Sequence, residues 1–69
     1  MKYSTIFING QAFNCSESMS LKDLLIYLDF DIDLVAVEYN KEILDNSYFN
    51  MVFLKPQDNI EVITIVGGG

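Results

Sequence analysis

From Tyr3 to Ile8 the chain is rich in aromatic and β-branched residues, Tyr-Ser-Thr-Ile-Phe-Ile, and reads as a β-strand. The run ends at Asn9-Gly10. That pair suits the two positive-φ positions of a tight hairpin turn, so Gln11 to Cys15 is predicted to return as a second strand. Phe13 and Cys15 then share a face. After the polar stretch Ser16-Glu17-Ser18-Met19-Ser20 the period changes. Leu21, Leu24, Leu25 and Leu28 recur at helical spacing, so one face of a short helix is apolar. Ser20 is suited to cap that helix and Asp23 to complete a near capping box, where its charge also favours the first turn. Asp29, Asp31 and Asp33 interrupt the pattern. Alternation resumes from Leu34 to Tyr39, with Val35 and Val37 facing one way and Ala36 and Glu38 the other. Asn40-Lys41 reads as a turn and Glu42 to Leu44 as a short strand. Asp45 to Ser47 opens a single-turn or irregular stretch, and Met51 to Leu54 is a brief apolar run. Pro56 to Asn59 reads as a turn, and Ile60 to Val66 as the last strand, rich in β-branched residues.

The order is strand, strand, helix, strand, short strand, strand. A hairpin crossed by one helix and completed by later strands is an α+β arrangement of the β-grasp, ubiquitin-like kind. The expectation is a mixed sheet of four to five strands packed on one helix, with the last strand central and parallel to the first. One domain is expected over residues 1–66, followed by a flexible glycine tail over 67–69.

That tail is the most informative local feature. Gly67, Gly68 and Gly69 follow directly on a strand. Glycine cannot extend a strand favourably, but it lets backbone enter a channel that rejects side chains. Read for function, the end is a reactive handle, the α-carboxylate of Gly69. Read blandly, it is a frayed terminus.

Composition narrows the choices. Ten acidic residues stand against four lysines, with no arginine and no histidine, giving a net charge of −6. Nothing of that kind neutralises a phosphate backbone, so no nucleic-acid partner is expected, and a basic protein partner is favoured. A hydrophobic content of 51% argues against disorder. No apolar run has the length of a membrane span and no signal-peptide pattern opens the chain, so no membrane partner is expected. The expected location is the cytoplasm or a plastid stroma, and the single cysteine, Cys15, fits a reducing compartment.

No internal catalytic constellation is legible. Without histidine there is no Ser-His-Asp or Cys-His arrangement, and no Cys/His metal site. Cys15, on the apolar face with Phe13, reads as a small buried hydrophobe. Asp29, Asp31 and Asp33 lack the central glycine and the downstream glutamate of a calcium loop, so they read as a solvated helix exit. The outward face of the sheet says more. With Ile60 and Val62 turned to the helix, Glu61, Ile63 and Ile65 face outward. With Ile6 and Ile8 turned inward, Thr5 and Phe7 also face outward. Phe7, Ile63 and Ile65 are therefore expected together in an exposed apolar patch, a docking site for a partner.

Over essentially its whole length the chain resembles the ThiS family, sulfur carriers of thiamine thiazole biosynthesis. The resemblance rests on Ile8-Asn9-Gly10, Phe13-Asn14-Cys15, Ser20 to Leu25, and Val35 to Ile43. It continues through Asp58 to Ile63 and ends on Val66-Gly67-Gly68-Gly69. One departure is Gln57, where the family usually carries glycine. The resemblance implies a carrier with no catalytic residue and no bound cofactor or metal. A ThiF-like adenylyltransferase supplies ATP and magnesium and converts the Gly69 carboxylate to an acyl-adenylate. Sulfur from a cysteine desulfurase or rhodanese relay replaces the AMP, leaving a thiocarboxylate. A ThiG-like thiazole synthase then takes the sulfur. Three alternatives stay open: a MoaD-like small subunit of molybdopterin synthase, a ubiquitin-like protein modifier, and a small binding domain whose glycines do nothing.

Overall fold

The computed structural model describes residues 2–65. Strand β1 (Tyr3–Ile8) turns through Asn9-Gly10 into β2 (Gln11–Ser16), and both turn residues have positive φ, 50° and 83°. A side chain at the second turn position would be strained whatever space surrounds it, so glycine fits there. Helix α1 (Leu21–Tyr27) follows, then β3 (Val35–Tyr39), β4 (Glu42–Leu44), a single 3-10 turn (Asn46–Tyr48) and β5 (Asn59–Thr64). The five strands form one mixed sheet in the order β2-β1-β5-β3-β4. The last strand is central, parallel to β1 and antiparallel to β3, as its place in the sequence predicts.

Alternation does what it implies. Ile6, Ile8, Val35, Val37, Ile60 and Val62 point to one side of the sheet and are buried against Leu21, Leu24 and Leu25 of the helix. Seven residues make a marginal helix by themselves, so packing and its ends hold it. Ser20 and Asp23 form the full capping box. The N–H groups of Leu21 and Lys22 donate to the carbonyls of Val52 and Phe49, at 2.8 and 2.9 Å, so the 45–58 stretch closes the helix start. Phe49, buried to 1% exposure, is the largest side chain in the core. It follows Tyr48 and lies two residues before the apolar run Met51 to Leu54, so neither a helical nor a strand period singles it out.

At the other end, Asp29 N–H donates to Ile26 O and Phe30 N–H to Leu25 O. This is the paired bonding of a Schellman cap, with Asp29 at the left-handed position, φ 64°. The aspartate series therefore has structural duties. Asp31 Oδ1 also accepts the Asp33 N–H at 3.0 Å. Among the described residues no three Asp, Glu, Cys or His side chains gather as a metal-binding group.

A polar network beside the core has no counterpart in the sequence pattern. Asp58 is buried and its carboxylate accepts from the Tyr39 hydroxyl, the Asn40 amide and the Lys55 N–H. Burial, then the hydrogen bond to Asp58, then its charge hold the Tyr39 phenol proton well above the usual tyrosine range. Asn40 also accepts the Asn59 N–H at 2.8 Å, so the β3–β4 turn is tied to the start of β5. Gln57, the departure noted above, has φ 69°, a left-handed conformation that glycine adopts without strain.

Candidate functional site

The candidate site is built on the end of β5. Register places Phe7 opposite Asn59 and Ile8 opposite Ile60, so β5 outruns β1 once the hairpin turns away. A free edge at the centre of the sheet would leave backbone groups unpaired. Asn9 supplies the missing strand: its Oδ1 accepts the Val62 N–H at 2.8 Å and its Nδ2 donates to the Val62 carbonyl at 3.2 Å. On the other side β3 pairs as far as Val35 with Thr64, and the Ile65 N–H still donates to Leu34 O at 2.6 Å. The strand assignment stops at Thr64, short of the Val66 expected from the β-branched run, because β3 starts at Val35. Val66 and the candidate residues Gly67, Gly68 and Gly69 lie outside the described residues.

The outward face divides differently from the sequence expectation. Phe7, Ile63 and Ile65 do share the face away from the helix. Phe7, however, lies opposite Asn59, four residues before Ile63, which separates them by about 13 Å along the strand. The grouping expected from alternation alone is thus corrected by register. Phe7 is half-buried and its β2 partner is Ala12. Ile63 stands at the other end of the face, 65% exposed, opposite Ala36 of β3. Its apolar neighbour across the sheet is Ile43 of β4, 85% exposed, which the sequence reading did not single out. A strand of three residues carries too little alternation to reveal a face.

The helix side offers a groove of about 270 Å³ bounded by Tyr3, Phe13, Met19 and Tyr27. Cys15 lies at its floor, 5% exposed. Burial, with the negative charges of Asp58 and Glu17, pushes its thiol pKa up. The reactive thiolate is therefore disfavoured, and Cys15 serves as a small apolar core residue. Among the described residues no helix is long and apolar enough to cross a membrane.

A mixed five-stranded sheet, its central strand parallel to the first and one helix across the hairpin, defines a β-grasp protein of the ubiquitin-like class. Residues 6–69 match the ThiS family. The chain belongs to that family, whose members are small sulfur carriers rather than enzymes. It is 48% identical over 68 residues to the uncharacterized protein ycf40 of Porphyra purpurea, covering 99% of this chain and 96% of that one. It is 38% identical over 50 residues to the sulfur carrier protein ThiS of Bacillus subtilis, covering 72% and 76%. It is also 38% identical over 64 residues to the thiazole synthase of Magnetococcus marinus, covering 93% of this chain but 20% of that protein. Among solved structures, the thiamine biosynthesis protein ThiS of Geobacter metallireducens superposes with a TM-score of 0.80 at 29% identity, covering 94% of this chain and 99% of that one.

Proposed function

We propose that this chain carries sulfur as a thiocarboxylate on Gly69 and delivers it for the thiazole ring of thiamine. The observation that carries the reading is the extent of the family match, which runs through residue 69 and so takes in all three terminal glycines. A carboxylate is a poor electrophile until one oxygen joins a good leaving group. In the proposed sequence a Gly69 oxygen attacks the α-phosphorus of ATP on an adenylating partner, and pyrophosphate departs. The outer sulfur of a persulfide on a desulfurase or rhodanese relay then attacks the acyl carbon and AMP leaves, joining carrier and donor through an acyl disulfide. A second thiol, supplied by a partner protein, attacks the donor's sulfur, forming a new disulfide there and releasing the thiocarboxylate. Acyl-adenylates hydrolyse in water, so the step belongs inside a closed site, which three glycines can enter without side-chain obstruction. ATP and magnesium belong to the partner. The fold's part is to hold β5 rigid up to Ile65, through Asn9 on one edge and Leu34 on the other.

The thiazole assignment is supported by the Magnetococcus relative. There a segment like this chain is one fifth of a protein named thiazole synthase. Joining two modules in one chain raises their effective concentration, which is useful when one must repeatedly meet the other.

Labelled pyrophosphate exchange tests the activation step. With ATP, magnesium and the adenylating partner, the wild-type chain should drive label from pyrophosphate into ATP, and a chain lacking Gly69 should not. Equal exchange with the truncated chain would overturn the reading.

A further inference from the structure

The sheet has two edges, and only one of them is guarded. An edge strand carries unpaired backbone groups that invite another strand; short length, charge, proline or a bulge blunts it. Strand β4 has three residues, and Lys41 and Glu42 stand at its start. Strand β2, at the other edge, has six residues, Gln-Ala-Phe-Asn-Cys-Ser, with no charge and no proline, and it pairs with β1 without a bulge. Its free groups follow from the bonding of β1. The Phe7 and Asn9 N–H groups donate to Asp58 and Ile60, and the Thr5 carbonyl accepts from Gln57. Odd residues of β1 thus bond toward β5 and even residues toward β2. The partners of the even residues, Gln11, Phe13 and Cys15, bond back to β1. Ala12 and Asn14, both exposed, therefore turn their N–H and C=O groups to the open edge. Among the described residues no turn or loop group bonds any of these four.

We propose that β2 pairs antiparallel with β2 of a second copy of this chain, about a two-fold axis at Phe13. In that register Ala12 lies opposite the second copy's Asn14, and Asn14 opposite its Ala12. Each pair exchanges both bonds, so every free group of the two residues is satisfied. A shift of two residues sets one of them against Gly10 of the turn, or against Ser16, whose carbonyl already accepts the Met19 N–H. Phe13, packed on the helix side beside the groove, meets its own copy in a non-hydrogen-bonded pair, the closer kind, where aromatic side chains stabilise a sheet. Charge selects the occupant. An edge without charge offers a basic strand no attraction and its own copy no repulsion. Glu17, the charge next to β2, falls opposite the second copy's Asn9, so the two Glu17 residues stand about 26 Å apart along the ladder. That exceeds the roughly 10 Å over which charges act in 0.1 M salt. Pairing joins two five-stranded sheets edge to edge and covers neither face of β5, so the inference is independent of the sulfur-carrier reading. The contact is one strand wide, small for a stable interface, so the dimer should form at about 0.1–1 mM.

Sedimentation of the full chain between about 10 µM and 1 mM, with amide hydrogen exchange at both ends of the range, tests the pairing. The mass should rise toward twice that of the monomer, and the amides of Ala12 and Asn14 should gain about tenfold protection. High salt should strengthen association, because it screens the net charge of the two copies. Ala12→Pro deletes an N–H that bonds nothing in the monomer, and Ala12→Lys adds the kind of charge that guards an edge. Both should stay monomeric, and Ala12→Lys should melt with wild type at low concentration; if Ala12→Pro does not fold, Ala12→Lys decides. A wild-type chain still monomeric at about 1 mM overturns the pairing. So does a dimer that survives Ala12→Lys, or concentration-dependent protection on β4 in place of β2. Protection of Ala12 and Asn14 that appears only when the adenylating partner is added gives the edge a different occupant and also overturns it.

Discussion

Strand β5 presents two faces made of alternate residues of one segment. Ile60 and Val62 are packed under the helix, at 0% and 6% exposure, while Glu61, Ile63 and Ile65 lie open on the other side. The backbone is common to both, so the difference isolates what the fold requires from what it leaves free. The inner residues are determined by the core. The outer ones include a like-charge pair and large exposed aliphatics, neither of which stability alone would place there. A central strand of a small sheet thus holds the molecule together with one face and leaves the other open to solvent.

Substitution tests that division most sharply where the effect is largest. Ile60→Ala removes a fully buried side chain from the core and should cost about 2–5 kcal/mol. Ile63→Asp, three residues on, should leave the melting temperature nearly unchanged and weaken partner binding. Chemical denaturation of the two variants checks this. If Ile63→Asp unfolds the chain as Ile60→Ala does, the two faces are not distinct.

The Tyr39–Asp58 bond, which ties β3 to the start of β5, comes next. Tyr39→Phe should cost about 1.5–3 kcal/mol near neutral pH, the scale of a hydrogen bond to a charged group. Because the folded state holds the phenol proton more tightly than the unfolded chain, this contribution is complete below the ordinary tyrosine pKa of about 10 and is lost as pH rises above it. Stability of wild type and variant should therefore converge in alkaline denaturation curves. A constant difference up to pH 11 would contradict the assignment.

The smallest expected change is a gain. Gln57 is exposed and left-handed, so Gln57→Gly should relieve strain of about 1 kcal/mol and raise the melting temperature without touching either face of β5.

Much of this architecture was legible from residue order. Asn9-Gly10 marked the first hairpin, Ser20 and Asp23 the helix start, and alternation on β1, β3 and β5 separated inner from outer residues before any coordinates. Register was not legible, because alternation fixes which face a residue takes and not its neighbour along the strand. Phe7 was therefore grouped with Ile63, while Ile43, on a three-residue strand, was passed over. The Asn9 clamp on Val62 spans 53 positions and the Asp58 network joins two turns; both rest on long-range polar geometry that no local pattern encodes. For the candidate site, the glycines were the plainest feature of the sequence and the surface that presents them the least plain.

The central claim concerns one atom group. After incubation with ATP, magnesium, a sulfur donor and the adenylating partner, intact-mass analysis should show one oxygen of the chain exchanged for one sulfur, and fragmentation should place the exchange at Gly69. No exchange, or one that persists when Gly69 is deleted, would contradict the account.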